Sequence, residues 1–258
     1  MDLGIKGKTA LITASTYGLG FAVAEALIGE GCRVAINSRS QENVKAAAEK
    51  LGPNAVGIAG DLSSSSDRDR ILATAQEQLG AIDILVVSTA HPPTRPFSGA
   101  TDEEWELGYQ LLVRTPIELS RGLIPAMRAK GYGRLIYIGS IFGLEAEVSS
   151  VIQSTFRSGL NNFVKCISVE EAENGITANV ICPGYFDTPL VRNLAEQYAY
   201  DNKQSVESVL KDWKTFSPMK KFGKPEDLGA FIAFLCSKHG DFFSGSAIHV
   251  DGAAIKGV

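Results

Sequence analysis

Metal-binding and redox motifs are scarce in this chain. Only three histidines occur, at positions 91, 239 and 249, and none has metal-ligand spacing to another. The four cysteines, Cys32, Cys166, Cys182 and Cys236, lie far apart in apolar segments without a Cys-x-x-Cys pair. They read as buried small hydrophobes in a reducing compartment. No sign of charge dominates: the formal net charge is -4 over 258 residues, which gives no reason to expect nucleic acid or an anionic membrane as partner. No apolar run approaches the ~18 residues of a membrane span. No charged-then-apolar leader precedes Lys8, so the expected location is cytoplasmic. Internal repeats, low-complexity tracts and linkers are absent, and a single domain over 1–258 is expected.

What is present is alternation. Thr9-Ala10-Leu11-Ile12-Thr13 is the kind of short apolar run that forms a parallel strand covered on both faces. Similar runs follow at 33–36, 55–58, 82–87, 133–138, 177–182 and 247–250. Helical patterns fill the intervals: from Gly18 with a small face of Ala22 and Ala26, at about 42–51, at about 67–79, up to Lys130, and from Pro225. Thr101-Asp102-Glu103-Glu104 has the form of a capping box, and Pro116 predicts a break or bend before the helix ending near Lys130. Ile152, Phe156, Leu160, Phe163, Val164 and Ile167 mark an amphipathic helix. Gln153 and Arg157 each follow a member of that stripe by one residue. They therefore share a face about 100° around, which can look into a cleft. Residues 187–217 are polar and irregular and read as a mobile helical insertion, a lid over the substrate. The pattern predicts an α/β fold, a doubly wound parallel sheet of Rossmann type with helices on both faces. Its ligand crevice lies at the carboxyl ends of the strands, where strand order reverses.

Thr13-Ala14-Ser15-Thr16-Tyr17-Gly18-Leu19-Gly20 joins the first strand to the first helix. Free amides and the positive end of the helix dipole meet there, which favours a pyrophosphate. The segment resembles the Thr-Gly-x-x-x-Gly-x-Gly pattern of the short-chain dehydrogenase/reductase family. Asp61-Leu62 is similar to the family's adenine-contacting segment, and Ile138-Gly139-Ser140 to its catalytic serine segment. Asn179, Pro183-Gly184 and Thr188 match a further motif, as do Gly223 to Asp227, Ser244-Gly245 and Val250-Asp251-Gly252. The resemblance runs from about Ile5 to Ala254. It implies a nicotinamide cofactor held by Thr13, Ser15, Tyr17, Gly18, Leu19, Ser38, Arg39, Asp61, Leu62, Arg157, Pro183, Gly184 and Thr188. Ser38 stands where a carboxylate would hold a ribose 2′-hydroxyl. Arg39 beside it can pair with a phosphate, so NADP(H) is favoured over NAD(H); Arg39 as a solvated loop charge is the alternative.

The departures from the family pattern are concentrated in the chemistry. Ala14 replaces the first glycine, an exchange expected to shift or loosen the turn. Val87-Ser88-Thr89-Ala90 replaces Asn-Asn-Ala-Gly, removing two amides that brace the sheet against the cofactor loop. The family's catalytic Asn, Ser, Tyr and Lys fall on Leu112, Ser140, Gln153 and Arg157. An amide is no general acid near neutral pH, and losing a positioned acid costs ~10²–10⁴ in rate. Arg157 can hydrogen-bond a ribose or an oxyanion but does not surrender its proton. Tyr185 is the best-placed substitute donor, with a pocket wall as its plainer reading; Glu145 and Glu147 are others. The set resembles a divergent branch near the 3-oxoacyl carrier-protein reductases in which Arg replaces Lys and the Tyr is missing.

The leading expectation is an oxidoreductase that moves a hydride between NADP(H) and a small-molecule carbonyl or alcohol, with Ser140 polarising the carbonyl. The alternative is a catalytically silent member that binds a ligand or serves as structural partner subunit to an active relative. Isomerisation or elimination with Glu145 or Glu147 as base is a third course. The resemblance also implies a homodimer or homotetramer formed through helices near 109–130 and 152–172. No metal site is expected.

Overall fold

The computed structural model describes residues 1–257. Seven strands form one parallel sheet: β1 Thr9–Ile12, β2 Arg33–Ser38, β3 Ala55–Ala59, β4 Ile84–Val87, β5 Gly133–Ile138, β6 Ile176–Pro183 and β7 Ala247–Val250. Their order is β3-β2-β1-β4-β5-β6-β7, every pair parallel. This is the expected doubly wound sheet in a single domain. The order reverses between β1 and β4, and a crevice opens at the carboxyl ends of those two strands.

Strand side chains alternate between faces, so the sheet divides two apolar layers. Ala10 and Ile12 of β1 join Val34, Ile36, Val86 and Ile136 on one face, under α1 (Gly18–Gly29), α2 (Gln41–Leu51) and α9 (Pro225–Leu235). Leu11, Leu85 and Leu135 join the other face, under α3 (Ser65–Leu79), α5 (Thr115–Lys130) and α6 (Val151–Glu170). The two layers account for the continuous apolar strands, since both faces are covered. The small face of α1 meets Gly229 of α9, where a Cβ would sit 2.5 Å from the Ala22 carbonyl oxygen.

Several local expectations are refined. β1 ends at Ile12, because Thr13 turns its Oγ1 to the Ser88 carbonyl at 2.6 Å and enters the loop. β4 begins at Ile84, after Asp83 has used its carboxylate to accept from the Thr9 amide. Around Pro116 the chain keeps helical: α4 (Asp102–Tyr109) passes through a π-helical turn, Gln110–Arg114, into α5, with Pro116 in the first turn of α5. Pro116 removes one donor from this continuous helix, and the Thr115 hydroxyl donates to the Gln110 carbonyl at 2.9 Å. The capping box at Thr101 and Glu104 is formed in both directions. Cys32, Cys182 and Cys236 are buried, but Cys166 is exposed, correcting the expectation for that residue: it lies off the buried stripe of α6. Residues 187–217 contain two helices, α7 (Pro189–Asn202) and α8 (Val206–Thr215), joined by their own small core of Ala195, Ala199 and Val209.

Candidate active site

The crevice is a cavity of about 820 Å³. Its floor begins at the β1–α1 turn, where Ala14 adopts φ 45°, a conformation natural to glycine. The turn is not loosened. Ser15 donates its amide to the Asn37 carbonyl at 2.9 Å and its hydroxyl to Ile12 O at 2.7 Å. Asn37 accepts weakly from the Ala14 amide at 3.4 Å and donates to the Ile58 and Gly60 carbonyls, lacing the turn to β3. Helix α1 then starts without any side-chain cap, so its first amides stay free. A Cβ on Gly20 would lie 2.8 Å from the Ala14 carbonyl oxygen, so only glycine fits. Uncapped amides and the close helix-to-turn approach that Gly20 permits suit a pyrophosphate.

Most of the residues expected to hold a cofactor line this one cavity: Tyr17, Gly18, Leu19, Ser38, Arg39, Asp61, Leu62, Arg157, Pro183, Gly184 and Thr188. Thr13 and Ser15 do not; both are fully buried and brace the turn from behind. Thr13 also accepts from the Ser88 amide at 3.1 Å, supplying a brace between β1 and β4 where the two family amides are missing. Asp61 Oδ1 accepts from the amide and hydroxyl of Ser63.

At the other end, β5 and α6 bring Ser140, Gln153 and Arg157 to the cavity wall. The Ser140 Oγ accepts from the Phe142 amide at 3.2 Å, leaving its hydrogen to donate. Arg157 is buried, with Nη1 donating to the Ile138 carbonyl at 2.9 Å; among the described residues its Nε has no partner and no carboxylate bonds it. Burial lowers its guanidinium to about 10. An unneutralised buried cation facing a cavity calls for hydroxyl or anionic oxygens from a ligand.

Leu111, rather than Leu112, lines the cavity, because the π-helical turn shifts the helix face by one residue; Leu112 packs in the core. Tyr185 lines the cavity, stacked on Trp213 at 5.3 Å with Phe216 edge-on at 5.6 Å. Burial, aided by the Glu147 charge, pushes its phenol up, away from the range of a ready donor. Glu145 accepts from the Lys256 and Gly257 amides, and Glu147 from Ser149; neither lines the cavity.

One cavity residue had no sequence signal. His91 lies in the loop after β4, its Nε2 2.9 Å from Gln153 Nε2 and its Nδ1 2.8 Å from the Pro92 carbonyl oxygen. Burial, with the Arg157 charge, lowers the imidazole to about 4. The partner stands 62 residues away, so no local spacing could reveal the pair. Among the described residues no group of three or more His, Cys, Asp or Glu could hold a metal, and no helix is long and apolar enough to cross a membrane.

Sheet order, crevice and uncapped first helix define a dinucleotide-binding α/β protein. Residues 13–253 match the family described as enoyl-(acyl carrier protein) reductase, and the chain belongs to the short-chain dehydrogenase/reductase family. It is 30% identical over 255 residues to human dehydrogenase/reductase SDR family member 4, covering 96% of this chain and 87% of that one. It is 27% identical over 250 residues to the 3-oxoacyl-(acyl-carrier-protein) reductase of Escherichia coli, covering 97% and 98%. The fold superposes on L-sorbose reductase of Gluconobacter frateurii, solved with NADPH and L-sorbose, with TM-score 0.94, 32% identity and full coverage of both chains.

Proposed function

We propose that this chain is an NADP(H)-dependent oxidoreductase that interconverts a small-molecule alcohol and its carbonyl at an atypical site. The observation that carries this reading is the buried, uncompensated Arg157 in the same cavity as the uncapped α1 amides. Tyr17, Gly18 and Leu19 would cradle the pyrophosphate, Ser38 and Arg39 the 2′-phosphate, Asp61 and Leu62 the adenine, and Pro183, Gly184 and Thr188 the nicotinamide end. When bound, the nicotinamide supplies or accepts the hydride. Arg157 holds ribose hydroxyls with its free N–H groups and does not release a proton. Ser140 donates its hydroxyl hydrogen to the substrate oxygen. Gln153 orients that oxygen without ionising, so the proton that accompanies reaction exchanges with water. Leu190, Val191 and Leu194 of α7 line the cavity, and α7 with α8 is assigned the role of substrate lid. The protein is assigned to the cytoplasm as a homodimer or homotetramer.

Hydride transfer is measured by single-turnover absorbance of NADPH against a panel of ketones and of NADP⁺ against alcohols. Transfer on at least one substrate is the expected result; none across the panel would overturn the reading. A second reading, a silent ligand-binding or partner subunit, is favoured by one observation: the ionisable group within hydrogen-bond reach of Gln153 is His91, which burial and the Arg157 charge keep neutral near pH 7. NADPH affinity without turnover, together with co-purification of an active relative, would select it.

A further inference from the structure

The contacts of His91 determine which way the Gln153 amide faces. A carbonyl oxygen has no hydrogen to give, so at 2.8 Å from Pro92 O the Nδ1 of His91 must carry the ring proton. In the neutral ring Nε2 then holds a lone pair, and only an N–H can face it at 2.9 Å. The Gln153 nitrogen therefore points at His91. Its Oε1 is the free end, without a hydrogen-bond partner among the described residues.

We propose that His91 is a positioning residue that locks Gln153 as a hydrogen-bond acceptor toward the substrate, so that the site selects an alcohol over the corresponding ketone; this rests on the oxidoreductase reading above. A ligand oxygen between Ser140 and Gln153 must accept from the one and donate to the other. A hydroxyl does both, whereas a ketone oxygen would set its lone pairs against Oε1. Direct replacement of the family's phenol by an amide thus changes the polarity of the contact as well as its acidity.

Two further observations support the lock. The loop carrying His91 is stiffened by Pro92, Pro93 and Pro96, and the Val151 amide at the start of α6 donates to the Arg95 carbonyl at 3.1 Å. The loop and helix are therefore held in register independently of the pair. The charged side chain acting on the ring is Arg157 of α6, which disfavours a second proton. The groups from β5 and β6, Ser140 and Cys182, are a neutral hydroxyl and a thiol that burial raises to about 11. Among the described residues the one acid lining the cavity, Asp61, is engaged with Ser63.

The first test is ¹⁵N NMR of the imidazoles in the cofactor-free protein at pH 7, with His91 assigned by its loss in His91→Asn. A protonated Nδ1 and bare Nε2 is the expected result; an Nε2–H tautomer or an imidazolium overturns the lock. The second is binding of an alcohol and the matching ketone to the protein loaded with NADPH or NADP⁺ in the non-reacting combinations, calibrated on the panel above. The alcohol should bind about tenfold tighter, the effect of one net hydrogen bond. His91→Phe should bring the two close to parity while NADPH affinity holds within about twofold. A ketone bound as tightly by the wild type, or a preference retained in His91→Phe, sinks the proposal. Failure to bind any nicotinamide strikes instead at the oxidoreductase reading, and the NMR result still decides the lock.

Discussion

Ala14 carries a left-handed φ of 45° in the turn that faces the α1 amides, which costs an L-residue of order 1 kcal/mol. Ala14→Gly should relieve that strain and recover roughly 0.5 kcal/mol after the extra entropy of unfolded glycine is deducted. Urea denaturation reads the change; a clear loss of stability would mean the methyl packs better than the strain costs. A residue-scale pH dependence comes from His91. Its folded pKa of about 4 lies below the ordinary 6.5, so the unfolded chain binds the proton first. Stability is therefore complete above pH 6.5 and falls as pH drops toward 4, by up to about 3 kcal/mol. His91→Phe should flatten the stability curve in that window. A wild-type curve already flat there would place the imidazole in solvent. The placement of residues that belong to a local motif, such as Gly20 and Ser140 at the cavity, was legible in the sequence. His91 was not, because its chemistry is conferred by a glutamine on a distant helix and by a carbonyl next door.

Between residues and the whole lie the elements, and here legibility depended on what fixed each boundary. The amphipathic stripe of α6 placed Gln153 and Arg157 on one face, and that face does meet the cavity. The π-helical turn at Gln110–Arg114 left no trace in periodicity, since inserting one residue shifts a face without breaking the apolar pattern. That is why Leu111 replaced Leu112 at the cavity. The polar segment 187–217 was read as a helical insertion, and its few apolar residues are enough for α7 and α8 to share a core. Trp213 links that core to Tyr185. Trp213→Ala should therefore disturb the proposed lid and the Tyr185 wall together, with a local cost of about 3 kcal/mol. The expected result is a fall of tenfold or more in kcat/KM with NADPH affinity nearly unchanged, measured by steady-state kinetics and calorimetry. Equal losses in both would show that the lid helices serve the cofactor as well.

For the molecule as a whole, strand–helix alternation gave the sheet, and the Gly-rich turn gave the end of the sheet that matters. What alternation could not give is how one cavity is shared between a cofactor and a reacting group. That depends on β1, β2, β4, β5 and β6 converging at the strand-order reversal. Because walls come from segments as far apart as Ala14 and Leu194, nicotinamide binding should be read by the stability of the entire fold. At a hundredfold excess over Kd, a ligand that binds only the folded state adds about 2.7 kcal/mol. For a chain of this size each kcal/mol raises Tm by about 2–4 °C, so NADPH should shift the melting curve by roughly 5–10 °C. NADH at the same concentration should shift it less, since Arg39 has no 2′-phosphate to meet. Arg39→Ala should bring the two curves together by lowering the NADPH shift, leaving the NADH shift where it was. Equal shifts in the wild type would leave Arg39 as a solvated charge and remove the basis for NADP(H) preference. A silent family member and a working one would give the same melting curves, and only hydride transfer separates them. Scaffold and chemistry are thus independent questions in this protein, answered at opposite ends of one cavity.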